Sequence, residues 1–233
     1  MPVSSSAQLA LLPWLLGWPE PADPTTFAAA LHAGSCAGIG CAIRSDLKTL
    51  SRKEILAVAA ASIPAGIAGF VSEDLVARRL GGRLQMAGLL ATAGLALLAA
   101  DRRPQEHGVR GRDVAMAAVA QVAALAPGVS RSGATLTALR LARVERASAQ
   151  RFTLLMSLPV TAGAAALTLL RADRAALRTM APALAVGLPV AALTAARCTE
   201  GERRRGAVPV RAAALYRLGL AAVVVVRHLR EKP

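Results

Sequence analysis

Six apolar runs, each close to the ~20 residues that carry a helix across a bilayer, constrain this chain more than any other feature. They lie at about 26 to 43, 54 to 72, 84 to 100, 152 to 170, 180 to 196 and 208 to 226. With 55% hydrophobic residues in 233 and a mean hydropathy of +0.46, the chain holds more apolar surface than one soluble core of its size absorbs. Aromatic residues make up only 3%, and the apolar mass is Ala, Leu, Val and Gly. Small residues of this kind let helices approach closely where lipid supplies no hydrophobic drive. The expected fold is therefore all-α: one polytopic membrane domain over residues 1–233 with about six full transmembrane helices, lying in a lipid bilayer.

Two further apolar pieces, at about 7 to 18 and 114 to 126, are too short to cross or are interrupted, and each adjoins a Pro/Ser/Gly-rich stretch. Such segments are tolerated at membrane depth only where their backbone is buried in protein or lines a wet cavity, which predicts two re-entrant helical hairpins.

The net charge of +14 invites a nucleic-acid reading, but the basic residues do not gather on one element with aromatic or polar partners. All 28 Lys and Arg lie from Arg44 onward, in short clusters between apolar runs, and no nucleic-acid partner is expected. If the N-terminus is placed outside, the inner loops at 44–53, 102–112, 140–151 and 197–211 hold 17 basic residues against nine in the outer segments. Arg131 and Arg217 belong to neither side. That orientation makes the hairpin at 114–142 enter and leave from the inside, while the piece at 7–18 connects to the outside. Broken hairpins entering from opposite faces imply inverted repeats, the first over about 1–100 with its hairpin incomplete and the second over about 111–226.

Cys36, Cys41 and Cys198 show no CxxC or Cys/His spacing, so neither a disulfide framework nor a zinc site is signalled. The first 43 residues contain no Lys or Arg to form the charged region of a cleavable signal peptide.

Chemistry concentrates in Pro127-Gly128-Val129-Ser130-Arg131-Ser132-Gly133-Ala134-Thr135. Pro and Gly end one helix, and Ser130 or Ser132 can cap the next, whose free N–H groups and positive dipole end form an anion site. Arg131 brings a planar, permanently charged fork suited to two phosphate oxygens. An arginine between apolar segments is expensive, which marks it as functional by default. Ser132 and Thr135 add hydroxyl donors, and Gly128 and Gly133 complete the loop. Pro2-Val3-Ser4-Ser5-Ser6-Ala7-Gln8-Leu9 opens an apolar segment in a similar way. His32 is read as a packed or interfacial histidine, and Trp14 and Trp18 as interfacial anchors.

Residues Pro127 to Thr135 resemble the second signature of the undecaprenyl-diphosphate phosphatase family, also called bacitracin-resistance proteins, and Pro2 to Leu9 resemble the end of its first. The similarity continues through Gln121, Ala124, Leu125, Arg146, Ala149, Phe152 and Leu158-Pro159, through Ile63-Pro64-Ala65 with Gly69, and through Tyr216-Arg217 with Gly219. The resemblance implies hydrolysis of a C55 lipid-carrier diphosphate to undecaprenyl phosphate, which recycles the carrier for peptidoglycan synthesis and confers bacitracin resistance. It also implies a phosphate cradle built from both signatures, assisted by a divalent cation, Mg or Ca. By the same resemblance Arg131 is the essential phosphate-binding arginine and Ser5 the nucleophile or a phosphate ligand. Ser4, Gln8, Gly128, Ser130, Ser132, Gly133 and Thr135 line the cradle. The oligomeric state is left open, a homo-oligomer included.

The sequence departs from the family pattern in two places. The Glu-x-x-x-Glu pair that precedes the first Pro-Val-Ser-Ser element in the family has no counterpart here, and Gln8 stands where relatives commonly have histidine. No metal ligand is assigned, and a start codon placed inside the gene is the expected origin of the first gap. Two other readings compete: a polyprenyl-phosphate transporter, since broken hairpins in inverted repeats also build transporters, and an inactive truncated paralogue.

Overall fold

The computed structural model describes residues 2–206 and 209–231, and those residues form ten helices and no strand. In order they are α1 (Ser5–Leu16), α2 (Pro24–Ala42), α3 (Arg44–Lys48), α4 (Arg52–Leu80), α5 (Arg83–Asp101), α6 (Gly111–Ala123), α7 (Arg131–Leu141), α8 (Arg146–Arg171), α9 (Arg174–Arg205) and α10 (Val210–Arg230). The all-α expectation holds. Five helices are long and apolar enough to cross a membrane: α4 over Arg52–Ser72, α5, α8, α9 and α10.

The sixth expected span, α2, has 19 residues but is not among those five. Pro24, Thr25, Thr26, His32 and three glycines dilute its apolar content. It packs against both α8 and α9. Its Gly34 and Gly38 stand one turn apart, the small-xxx-small spacing that brings membrane helices into backbone contact. A Cβ on Gly34 would lie 2.7 Å from the Leu188 carbonyl oxygen of α9, and one on Gly38 would lie 2.0 Å from that of Ala192.

Helix starts follow local chemistry. Asp23 accepts a hydrogen bond from Thr26 N at 3.0 Å ahead of Pro24, which fits at N1 because its missing N–H is an orphan there anyway. Ser51 and Glu54 form a reciprocal capping box at α4, with Ser51 N to Glu54 Oε2 at 2.9 Å and Glu54 N to Ser51 Oγ at 3.3 Å. Several helices run well past the apolar runs: α9 extends from Arg174 to Arg205, beyond the expected 180 to 196. Hydropathy marks the lipid-covered length, whereas the helical hydrogen bonds continue into charged ends.

Residues 111–141 form a hairpin of two short helices, α6 of 13 residues and α7 of 11, packed on each other. At ~1.5 Å per residue neither reaches the ~30 Å hydrocarbon thickness. Both ends of the hairpin lie side by side: Glu145 N donates to His107 O and Glu106 N to Arg143 O, each at 2.9 Å. The chain thus returns to the face it entered. Arg140, buried in α7, donates to Arg103 O at 2.5 Å and to Val144 O, while Arg146 makes a forked pair with Asp101 at 2.7 and 3.0 Å. Ala117, Ala118, Leu136 and Leu139 of the hairpin share a core with Ala61, Leu97, Phe152 and Met156.

Ion pairs collect the four basic inner segments at one end of the bundle: Glu106 with Arg143, Asp101 with Arg140 and Arg146, Glu54 with Arg151, and Asp46 with Arg203. Trp14 on α1 is covered by Arg83 and Arg227 at 4.6 and 5.1 Å from its ring centre, both from segments assigned to the outer side. The anchor role expected of Trp14 therefore includes two cation–π partners. Helix α1 buries Ala7 and Leu11 against Met86, Leu90, Leu220 and Val224 of α5 and α10.

Candidate active site

The break before α7 is built on unusual backbone. Gly128 has φ +104 and presses on α5, where a Cβ would lie 2.8 Å from Met86 O, so no larger residue fits there. Ser130 follows at φ +71, a left-handed value that costs a non-glycine about 1 to 3 kcal/mol. Its Oγ accepts from Gly133 N at 3.2 Å and lies 3.4 Å from Ser132 Oγ. Of the two serines the sequence offered as cap, Ser130 takes that role. Arg131 is the first residue of α7, beside the helix's unpaired N–H groups, and its Nη1 donates to Thr161 Oγ1 of α8 at 3.0 Å. Thr135 is buried, and its hydroxyl donates to Arg131 O at 3.0 Å, fixing the first turn behind the arginine.

The first signature repeats this design. Ser4 precedes α1 at φ +64, buried, with no hydrogen-bond partner for its Oγ among the described residues. Three non-glycine residues among those described have positive φ, and Ser4 and Ser130, each placed before a broken helix, are two of them. Ser5 opens α1 as Arg131 opens α7. Its Oγ lies 2.9 Å from His32 Nε2 on α2. Gln8 Nε2 donates to Val3 O at 3.1 Å, bracing the loop.

Arg217, in the middle of α10 and fully buried, joins the two elements. Its Nη2 donates to Gly128 O at 2.8 Å and Val129 O at 2.9 Å, and its Nη1 to Pro2 O at 3.4 Å. The Pro2 loop and the Gly128–Val129 loop, distant in the chain, are thereby held within one guanidinium's width. Gly133 leaves room for this, since a Cβ there would lie 2.8 Å from Nη1. Among the described residues neither Arg131 nor Arg217 forms a salt bridge with a carboxylate. The site thus carries two guanidinium charges, a helix N-terminus and several hydroxyls, a donor set that fits a multiply charged anion.

Sequence reasoning singled out Arg131, Ser5, Ser4, Ser130 and Ser132, and the structure groups them through the Arg217 bridge. It missed Arg217 as a bridging group and His32 as the partner of Ser5. The signal for Arg217 was available: an arginine inside an apolar run is costly unless it has a task. His32 gave no such signal, because its contact depends on how α2 packs. For the divalent cation, no group of three or more His, Cys, Asp or Glu among the described residues could hold a metal ion. These residues therefore do not fit that cation.

Comparison with known proteins identifies a family. The family described as Bacitracin resistance protein BacA matches residues 1–221. The chain is 32% identical to Undecaprenyl-diphosphatase 2 of Stutzerimonas stutzeri, over 97% of this chain and 92% of that protein. It is 38% identical to an Undecaprenyl-diphosphatase of Gemmatimonas aurantiaca, over 70% and 68%, and 34% identical to one of Thermodesulfovibrio yellowstonii, over 72% and 67%.

Proposed function

The chain belongs to the bacitracin-resistance protein family BacA, and on that premise we propose that it hydrolyses undecaprenyl diphosphate at the cradle formed by its two broken-helix N-termini. The products are undecaprenyl phosphate and inorganic phosphate, which returns the carrier lipid to peptidoglycan synthesis and underlies resistance to bacitracin. One observation carries this reading: Arg217 ties the Pro2 loop to the Gly128–Val129 loop, so Ser5 and Arg131 serve one ligand.

The terminal phosphate is held by the Arg131 fork, the first N–H groups of α7 and the Ser130 and Ser132 hydroxyls. Arg217 contributes its charge from behind. Negative charge on the transferring phosphoryl group is stabilised by donors already in place, and these gain strength in a site shielded from water. Arg131 keeps its fork oriented through Thr161. Ser5 supplies the oxygen facing the phosphorus, and Ser4 supplies a second hydroxyl.

The two halves work as inverted repeats. Support comes from the matched positive-φ serines ahead of α1 and α7, from Ser5 and Arg131 in matching positions, and from the cross-packing of α2 on α8 and α5 on α10. The family points to the bacterial inner membrane, and the loop charge bias favours an N-terminus outside.

The test is phosphate release from undecaprenyl diphosphate by the purified full-length protein. The native protein should release phosphate, and Arg131→Ala should lower the rate at least ~100-fold, the scale for losing one charge-stabilising donor. Binding of polyprenyl phosphate with no hydrolysis by the native protein would reject the reading in favour of transport.

A further inference from the structure

We propose that His32 is a catalytic residue, the general base that takes the proton of Ser5. The proposal rests on the reading of Ser5 and Arg131 as parts of a diphosphate hydrolase site. Ser5 Oγ and His32 Nε2 are 2.9 Å apart, within the reach a base needs of the proton it removes. Serine is a weak nucleophile unless such a base adjoins it. Gln8 cannot serve, because an amide does not accept a proton at neutral pH and its Nε2 is committed to Val3 O.

The placement of His32 is specific to the site. It lies on the face of α2 that meets α8, one turn before Cys36, whose Sγ contacts Leu158 O. Arg131 is close enough to His32 to act on it electrostatically. Helix α2 is positioned by backbone contact of Gly34 and Gly38 with α9, so the ring stands on a rigid element. The two halves then divide the labour: at the start of α1 a hydroxyl meets an imidazole from α2, and at the start of α7 a guanidinium meets a hydroxyl from α8. One half activates the nucleophile and the other binds the phosphate.

With Nδ1 protonated, His32 Nε2 takes the Ser5 proton as Oγ bonds to the terminal phosphorus. The bond from that phosphorus to the bridging oxygen breaks, and its electron pair leaves with undecaprenyl phosphate, which receives the proton from His32. A water then gives its proton to His32 and its oxygen to the phosphorus. The P–Oγ bond breaks, Ser5 recovers the proton from His32, and inorganic phosphate departs. The sum is one water consumed per diphosphate.

The experiment measures phosphate release from farnesyl diphosphate by the full-length protein, its His32→Gln, His32→Ala and Arg131→Ala variants, between pH 3 and 9. His32→Gln should fall ~100-fold or more, the usual range for general-base loss, and its profile should lose the acid-side decline of the native protein. Added imidazole should restore part of the His32→Ala rate, which a misfolded variant could not show. If His32→Gln stays within about threefold of native with the native pH profile, the base role is overturned, and so it is if imidazole gives His32→Ala nothing. In either case an inactive Arg131→Ala beside an active native protein leaves the phosphatase reading standing. A native protein that releases no phosphate overturns both.

Discussion

Nη1 of Arg217 stands 2.8 Å from the point where a side chain on Gly133 would begin, so a larger residue there must push aside the guanidinium that ties the two signature loops. The third residue of α7 and an arginine in the last helix are thereby interdependent. Gly133→Ala should displace the Arg217 fork and lower phosphate release at least ~10-fold, because small misplacements of positioned groups carry large rate penalties. A native rate in Gly133→Ala would show that the bridge is dispensable.

Arg217→Lys tests the same joint from the other side. An ammonium is a compact point charge and cannot span Gly128 O, Val129 O and Pro2 O with a planar fork. Activity should fall although the charge is kept. Arg131→Lys should be impaired for the same geometric reason, and steady-state kinetics of the two variants should show losses in kcat as well as KM.

Packing of α2 on α9 gives a stability prediction with an internal control. A Cβ on Gly38 would lie 2.0 Å from Ala192 O, a backbone atom that moves only if a helix moves, whereas nothing lies within 4 Å of a Cβ on Gly40. Gly38→Ala should lower the thermal midpoint sharply or abolish folded protein. Gly40→Ala should be neutral or gain up to ~1 kcal/mol from helix propensity. Thermal unfolding of both in detergent decides it, and equal midpoints would contradict the close α2–α9 contact.

Asp101 pins the base of the hairpin by pairing with Arg146 and with buried Arg140. Asp101→Asn should cost about 3 kcal/mol, the scale for leaving a buried charge without its partner. Glu106→Gln, which breaks an exposed pair with Arg143, should cost less than about 1 kcal/mol. Denaturant midpoints of the two variants should therefore separate clearly.

Orientation is checked by cysteine labelling in intact cells, against a background lacking Cys36, Cys41 and Cys198. An impermeant reagent should reach Glu20→Cys in the α1–α2 loop but not Ser45→Cys or Glu106→Cys, since the latter two lie at the arginine-rich end. The reverse pattern would invert the topology.

The sequence alone was enough for the class of fold. Apolar length marked every long helix, because a span must bury its own backbone hydrogen bonds over a fixed thickness. The Pro127–Thr135 stretch announced a broken helix, because Gly, Pro and Ser each impose their constraint locally. Helix α2 was harder: its glycines and His32 lower its hydropathy, and only its packing against α8 and α9 shows how it is accommodated. What belonged to tertiary structure was the pairing of distant groups. Ser5 meets His32 across 27 positions and Arg217 meets Pro2 across 215, because helix packing set by small residues such as Gly38 and Gly133 brings them together. Periodicity and composition describe what one segment needs. They do not fix which face of another helix will satisfy it.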